Sequence, residues 1–170
     1  VTDVPDQLIA RIAADSKYWL WINDQLVIFE GGLKRGPSPS GTYYDPVDIA
    51  PYLTKGSNTI AILLWHFGKD GFSHINSGKA ALLFEAIAPG LEIVSDASWQ
   101  CALYEAYQNT EAPFPNYRMP ESNIRFDARQ AITNWNRTSF EGFLPGAVCV
   151  GKAGKAPFGD LVERPIPQWK

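Results

Sequence analysis

"SKYWLWINDQLVIFEGG", residues 16–32, carries the pattern that decides the fold. Side chains alternate sides along a β-strand, so Tyr18, Leu20 and Ile22 point one way and Trp19 and Trp21 the other. Asn23-Asp24 then supplies a two-residue turn, and Val27 and Phe29 follow on a second strand, which makes the stretch a β-hairpin. The outer face of a half-buried strand is ordinarily polar, and here it holds two tryptophans. Rings of that size are covered by other chain segments or a neighbouring domain, or else they receive a ligand.

The same two-residue period extends outward from this hairpin. "LIARIAADS" sets Leu8, Ala10, Ile12 and Ala14 against Ile9, Arg11 and Ala13. "GSNTIAILLWHF" (56–67) is apolar on both faces and is expected to be a central strand. "GKAALLFEAIA" and "LEIVSD" follow, divided by a Pro-Gly turn at 89–90, and "NIRFDARQ" (123–130) alternates again. Helical patterning is confined to "PVDIAPYL" (46–53), where Pro51 limits it to about one turn. Residues 98–107 fit a strand or a helix. Long loops rich in Pro and Gly at 31–41, 68–78, 108–122 and 141–160 join these pieces. Many short strands with such connections predict an all-β protein, an antiparallel jelly-roll sandwich with its binding surfaces on the loops.

The 170 residues suit a single domain, 1–170, with one sizeable core. A net charge of −3 and a pI near 5.3 argue against nucleic acid or an anionic membrane as the main partner. No apolar run approaches the roughly 20 residues that span a bilayer. The N-terminus lacks the basic start, apolar run and cleavage site of a signal peptide, which a mature chain or an excised fragment would lack equally. Cys101 and Cys149 are expected to be buried thiols rather than a disulfide, because a core of this size needs no staple.

Several familiar motifs fail on inspection. "GAVCVGKA" (146–153) approximates a phosphate-binding loop, but Ala153 replaces the magnesium-binding hydroxyl and no helix pattern follows. His66 and His74, the two histidines, have no zinc-type spacing and no local Cys partner. Carboxylates such as Glu121 and Asp127 would serve a glycosidase only if they faced each other across a cleft, which sequence does not show. Asn136-Arg137-Thr138 is an N-glycosylation acceptor pattern with meaning only in a eukaryotic secretory setting.

Two loops mix aromatic and oxygen-bearing residues in a way that suits sugars. Residues 65–78 offer Trp65, Asp70, Phe72 and Asn76, and residues 115–123 offer Asn116, Tyr117, Arg118, Glu121 and Asn123. Acids and amides exchange hydrogen bonds with hydroxyls while Trp65 or Tyr117 packs on the ring. Asp70, Asn76 and Asn123 also carry oxygens of the kind calcium takes, without EF-hand spacing. The plainer reading is that Asn, Ser and Gly make turns here.

Taken together, "ARIAADSKYWLWIND", "GPSPSGTYYDPVDIAPYLTKGSNTIAILLWHFG", "SDASWQ", "PNYRMPESNIRFDAR" and "PFGDLVERPIP" resemble, in order, the N-terminal β-sandwich of bacterial α-L-rhamnosidases of glycoside hydrolase family 78. Related galactose-binding-like sandwiches share the Ile-Asn turn and the Gly-x-Asn strand. The resemblance implies a non-catalytic accessory domain, because the family's catalytic carboxylates belong to a helical barrel far larger than this chain. It also implies that the domain accompanies that catalytic domain in a secreted or periplasmic parent. Some such sandwiches hold L-rhamnose with calcium; others only buttress the barrel. The family's usual strand before residues 8–15 is missing, and "LVERPIPQW" resembles the segment leading into a next domain. The chain is therefore expected to be a piece of a longer enzyme, with 156–170 as linker.

Overall fold

A computed structural model describes residues 1–33, 36, 38–71, 74–110 and 123–168. The strands are β1 (Ile9–Asp15), β2 (Lys17–Ile22), β3 (Gln25–Gly32), β4 (Thr42–Asp48), β5 (Ile60–Trp65), β6 (Ala81–Ala88), β7 (Leu91–Val94), β8 (Tyr107–Asn109), β9 (Ile124–Phe126) and β10 (Leu161–Glu163). A five-stranded sheet in the order β10-β4-β1-β6-β7 faces a three-stranded sheet in the order β3-β2-β5, and β8 pairs with β9. Every pairing is antiparallel except β10 with β4. The protein is an all-β sandwich, as the period-two patterning predicts.

The core lies between the two sheets. Ala10, Ile12 and Ala14 of β1 and Phe84 and Ala86 of β6 meet Tyr18, Leu20 and Ile22 of β2 and Ile28 of β3. Tyr18, Leu20 and Ile22 have no solvent exposure, so the inward face of the opening stretch is the one its alternation assigns. Asn23 and Asp24 both adopt positive φ, 47° and 70°, the geometry of a tight hairpin turn that twists with its strands. The Asn23 amide donates to Asn58 Oδ1 (2.7 Å) and to the Tyr52 carbonyl (2.9 Å), while its oxygen accepts from Thr59 N (3.0 Å). The Ile-Asn turn and the Gly-x-Asn strand are thus two halves of one hydrogen-bonded joint.

Several local expectations are corrected. β5 is an edge strand rather than a central one. Trp99 and Trp135 line a groove with Ile60 and Ala61 at the strand's start, and Trp65 at its other end packs against Trp19 and Phe67. The single helical turn expected within 46–53 is present as a 3-10 turn at Ala50–Tyr52, but the residues before it stay extended through Asp48. Residues 98–106 contain neither helix nor strand. Cys101 and Cys149 are free and exposed, not buried, because both fall on irregular segments outside the sandwich. Within 156–170, β10 pairs with β4, and Phe158 is 2% exposed with its carbonyl accepting from Thr42 Oγ1 at 2.6 Å.

Candidate functional site

The chain leaves the first sheet and enters the second at Asp15-Ser16, and both side chains are buried there. Asp15 Oδ1 accepts from Ser16 Oγ at 2.7 Å and lies 2.9 Å from His74 Nε2, while Oδ2 accepts from Ser77 N at 2.6 Å. Burial alone would raise this carboxyl's pKa, but the hydrogen bonds from His74, Ser77 and Ser16 outweigh it and hold the group well below the usual carboxylate range. His74 and Ser77 belong to the 68–78 loop, so Asp15 is the post on which that loop rests.

Ser, His and Asp in contact invite comparison with a hydrolase triad, and the wiring rules that role out. In a triad the acid holds one imidazole nitrogen and the serine meets the other. Here Ser16 Oγ and Asp15 Oδ1 both face His74 Nε2, at 3.2 Å and 2.9 Å, and His74 Nδ1 has no partner among the described residues. Ser16 Oγ also accepts the Phe67 amide at 3.0 Å and is wholly buried. The cluster anchors a loop; it does not present a nucleophile.

Beside that loop runs a strip of aromatic rings on the outer face of the three-stranded sheet. Trp19 stacks with Trp65 (6.4 Å between centroids, 19° between planes) and meets Phe29 edge-on at 6.4 Å. Trp65 meets Phe67 at 5.0 Å, and Phe67 meets His74 at 5.1 Å. The strand register explains the order: Lys17 sits opposite Trp65 and Trp19 opposite Leu63, all on the outer face. Lys17 Nζ lies 5.9 Å over the Trp65 ring and 3.5 Å from Glu30. Phe29 is 60% exposed, so this end of the strip is open to solvent. Trp21 differs: Trp135 covers it edge-on at 5.1 Å. Both tryptophans are half-buried, Trp21 against Trp135 and Trp19 between Phe29 and Trp65.

The residues singled out for sugar or calcium fall as follows. Trp65 is half-buried in the aromatic strip. Asp70 is exposed, and its Oδ1 accepts from Asn76 N at 2.8 Å; Asn76 Oδ1 accepts in turn from Gly78 N at 2.9 Å. The structure brings these two together, in the turn geometry of the plainer reading. Asn123 is buried, and its carbonyl accepts from Thr110 N at 2.8 Å. Asn116, Tyr117 and Glu121, with Phe72 and Arg118, lie outside the described residues. Asp127 binds Arg129 through both oxygens, at 2.9 and 2.7 Å. Those bonds depress its pKa to about 2, so it stays ionised and is unsuited to donate a proton. No group of three or more His, Cys, Asp or Glu side chains converges as a metal site among the described residues. Asp15, Ser16 and the strip partners Phe29 and Phe67 were not among the expected site residues. Their signals were the Ala-Asp-Ser block for Asp15 and Ser16, the hairpin's outward phase for Phe29, and for Phe67 the alternation of the 56–67 run, in which it shares a phase with Trp65.

No family model matches the chain, and no curated protein matches it. Solved structures do. A family 78 rhamnosidase of Bacillus sp. GL1 superposes over 98% of this chain with a TM-score of 0.80 and 29% identity. An α-L-rhamnosidase from Dictyoglumus thermophilum covers 96% at a TM-score of 0.65 and 19% identity, a likeness of fold. One from Streptomyces avermitilis, solved with L-rhamnose, covers 94% at a TM-score of 0.55 and 18% identity, again a likeness of fold. The chain spans 17%, 18% and 12% of the lengths of these three proteins. Over nearly its whole length, then, it is similar to one part of family 78 α-L-rhamnosidases, the family that its sequence resembles.

Proposed function

We propose that this chain is a non-catalytic accessory sandwich of an α-L-rhamnosidase-like glycoside hydrolase, and that its open aromatic strip contacts carbohydrate. The strip carries the proposal: Phe29, Trp19 and Trp65 offer adjoining rings beside polar groups of the 68–78 loop and the Lys17–Glu30 pair. A sugar's C–H face packs on such rings while its hydroxyls meet Asp70 and Asn76, with Asn116, Tyr117, Glu121 and Asn123 as the partners expected from the second loop. L-Rhamnose is the ligand that the family likeness suggests. Calcium enters this reading as a bridge resting on Asp70, Asn76 and Asn123, supplemented by carbonyl and sugar oxygens.

One exposed monosaccharide offers few atoms, so a Kd on the order of 0.1–1 mM is expected. Calorimetry with L-rhamnose, with and without EDTA and beside galactose and glucose, tests this. Rhamnose-specific heat, lost in Trp19→Ala, supports the platform, and its loss in EDTA supports the calcium bridge. Absence of heat with every sugar, calcium present, favours a second reading, a buttress for the catalytic domain. That reading has its own observation. Leu103, Phe143 and Val148 are 83%, 85% and 79% exposed. Their segments run side by side through Cys101 N to Pro145 O (2.8 Å) and Ala147 N to Trp99 O (2.7 Å). An apolar surface of that kind suits packing against another domain.

A further inference from the structure

We propose that a groove at the far end of β5 from Trp65 binds a negatively charged pyranose, a uronate. The groove has a volume of about 330 Å³ and opens between Ile60 and the segments carrying Trp99, Gln100, Trp135, Arg137 and Phe140. That size lies at the lower end of small-molecule sites, ~300–1,000 Å³, and admits a sugar ring. Trp65 lies five residues along the strand from Ile60, about 16 Å away at ~3.3 Å per residue, so this is a separate place from the aromatic strip.

Packing fixes the groove's rings before any ligand arrives. Trp135 is held edge-on against Trp21 at 5.1 Å, and Trp99 leans on Phe84 of the core at 5.5 Å. Rings already ordered cost little further entropy when a sugar lies on them. The polar groups divide into engaged and available. Asn58 Oδ1 accepts from Asn23 and Thr54, and its amide donates to the Thr54 and Gly56 carbonyls. The Thr138 hydroxyl donates to Asp24 at 3.0 Å. Among the described residues the Gln100 side chain remains available, as does the Arg137 guanidinium, whose one hydrogen bond there is a long 3.5 Å approach of Nη1 to the Asp24 carbonyl.

Arg137 is the one charged residue lining the groove among the described residues. The Asp24 carboxylate nearby, bound by Thr138, partly offsets its field, so the attraction acts at contact distance. A guanidinium matches a carboxylate with two parallel hydrogen bonds, and aromatic rings beside it match the apolar face of the ring bearing that carboxylate. A neutral sugar satisfies the rings and leaves the guanidinium unmatched. Acetate does the reverse. The combination selects a uronate.

This inference does not rest on the rhamnose reading, and the two fail separately. The whole chain is titrated with D-glucuronate and D-galacturonate, with D-glucose, D-galactose and acetate as controls, followed by tryptophan fluorescence. Uronate is expected to bind with a Kd on the order of 1–10 mM, about fivefold tighter than its neutral counterpart or acetate. That preference is expected to shrink in high salt, to vanish in Arg137→Gln with the melting temperature unchanged, and to survive Trp19→Ala. The proposal is overturned if uronate, neutral sugar and acetate bind alike, if Arg137→Gln keeps the preference, or if nothing binds at about 50 mM.

Discussion

Asp15 joins the two sheets and the 68–78 loop through a single ionised carboxylate that water does not reach. Replacing it with Asn keeps the shape but removes the charge that His74, Ser16 and Ser77 address. Hydrogen bonds to a buried charge contribute about 1.5–3 kcal/mol each, so Asp15→Asn is expected to lower stability in urea by about 3 kcal/mol. The pH dependence has a definite sign. The folded pKa is depressed below the unfolded value of about 3.9, so the unfolded state binds the proton first. Asp15's contribution is complete above about pH 4 and is lost as pH falls through that value toward the folded pKa. Urea midpoints measured from pH 6 to pH 3 are expected to fall at the acid end, less steeply in Asp15→Asn. Gly31 offers a second single-residue test. A Cβ there would come 2.3 Å from Tyr18 Cζ, and Tyr18 cannot move aside because it is fully buried with its hydroxyl on Asp45. Gly31→Ala is expected to cost about 1–3 kcal/mol by overpacking. Alternation alone placed Tyr18, Leu20 and Ile22 correctly. It could not say that Trp21 lies under Trp135, because that contact depends on a segment more than a hundred residues away.

Among the elements, β10 is the least legible in sequence and among the best anchored. Three residues flanked by Gly and Pro show no period, so 156–170 reads as linker. The structure ties the segment down at Arg164, whose guanidinium hydrogen-bonds the wholly buried Asp45 and donates to the Leu33 carbonyl at 3.3 Å. Asp45 also accepts from Tyr18 Oη (3.0 Å) and Gly32 N (2.9 Å), so the tail closes over the hairpin's base. Removing one partner leaves a buried charge uncompensated, and Arg164→Gln is expected to cost about 3 kcal/mol. Hydrogen exchange provides the check. The Thr42 amide, which donates to Asp160 O at 2.8 Å, should exchange faster in the variant, whereas β2 amides should slow or quicken only with global stability. β5 teaches the converse lesson. Its apolar run was plain, but its place at a sheet edge was not, since a strand's own residues do not name its neighbours.

For the whole molecule, the sandwich was legible because nearly every strand of useful length alternates, and the ordered blocks resemble those of a known sandwich. The site was legible only in part. Asp70 and Asn76 meet, but through hydrogen bonds spent on their own turn, while Trp65 packs against Trp19 and Phe67. Trp65 adjoins Phe67, its near neighbour in sequence, and Trp19 of β2, which in turn meets Phe29 of β3; the two cross-strand contacts are set by register rather than by local pattern. The proposed role is to assist a hydrolase without performing the chemistry, and two observations support it: the Ser–His–Asp contact is buried and wired unlike a triad, and Asp127 is bound to Arg129. The most direct measurement is turnover of p-nitrophenyl α-L-rhamnoside by the purified chain. A rate indistinguishable from buffer is expected. Turnover that copurifies with the chain and disappears in Glu121→Gln would contradict the proposed role.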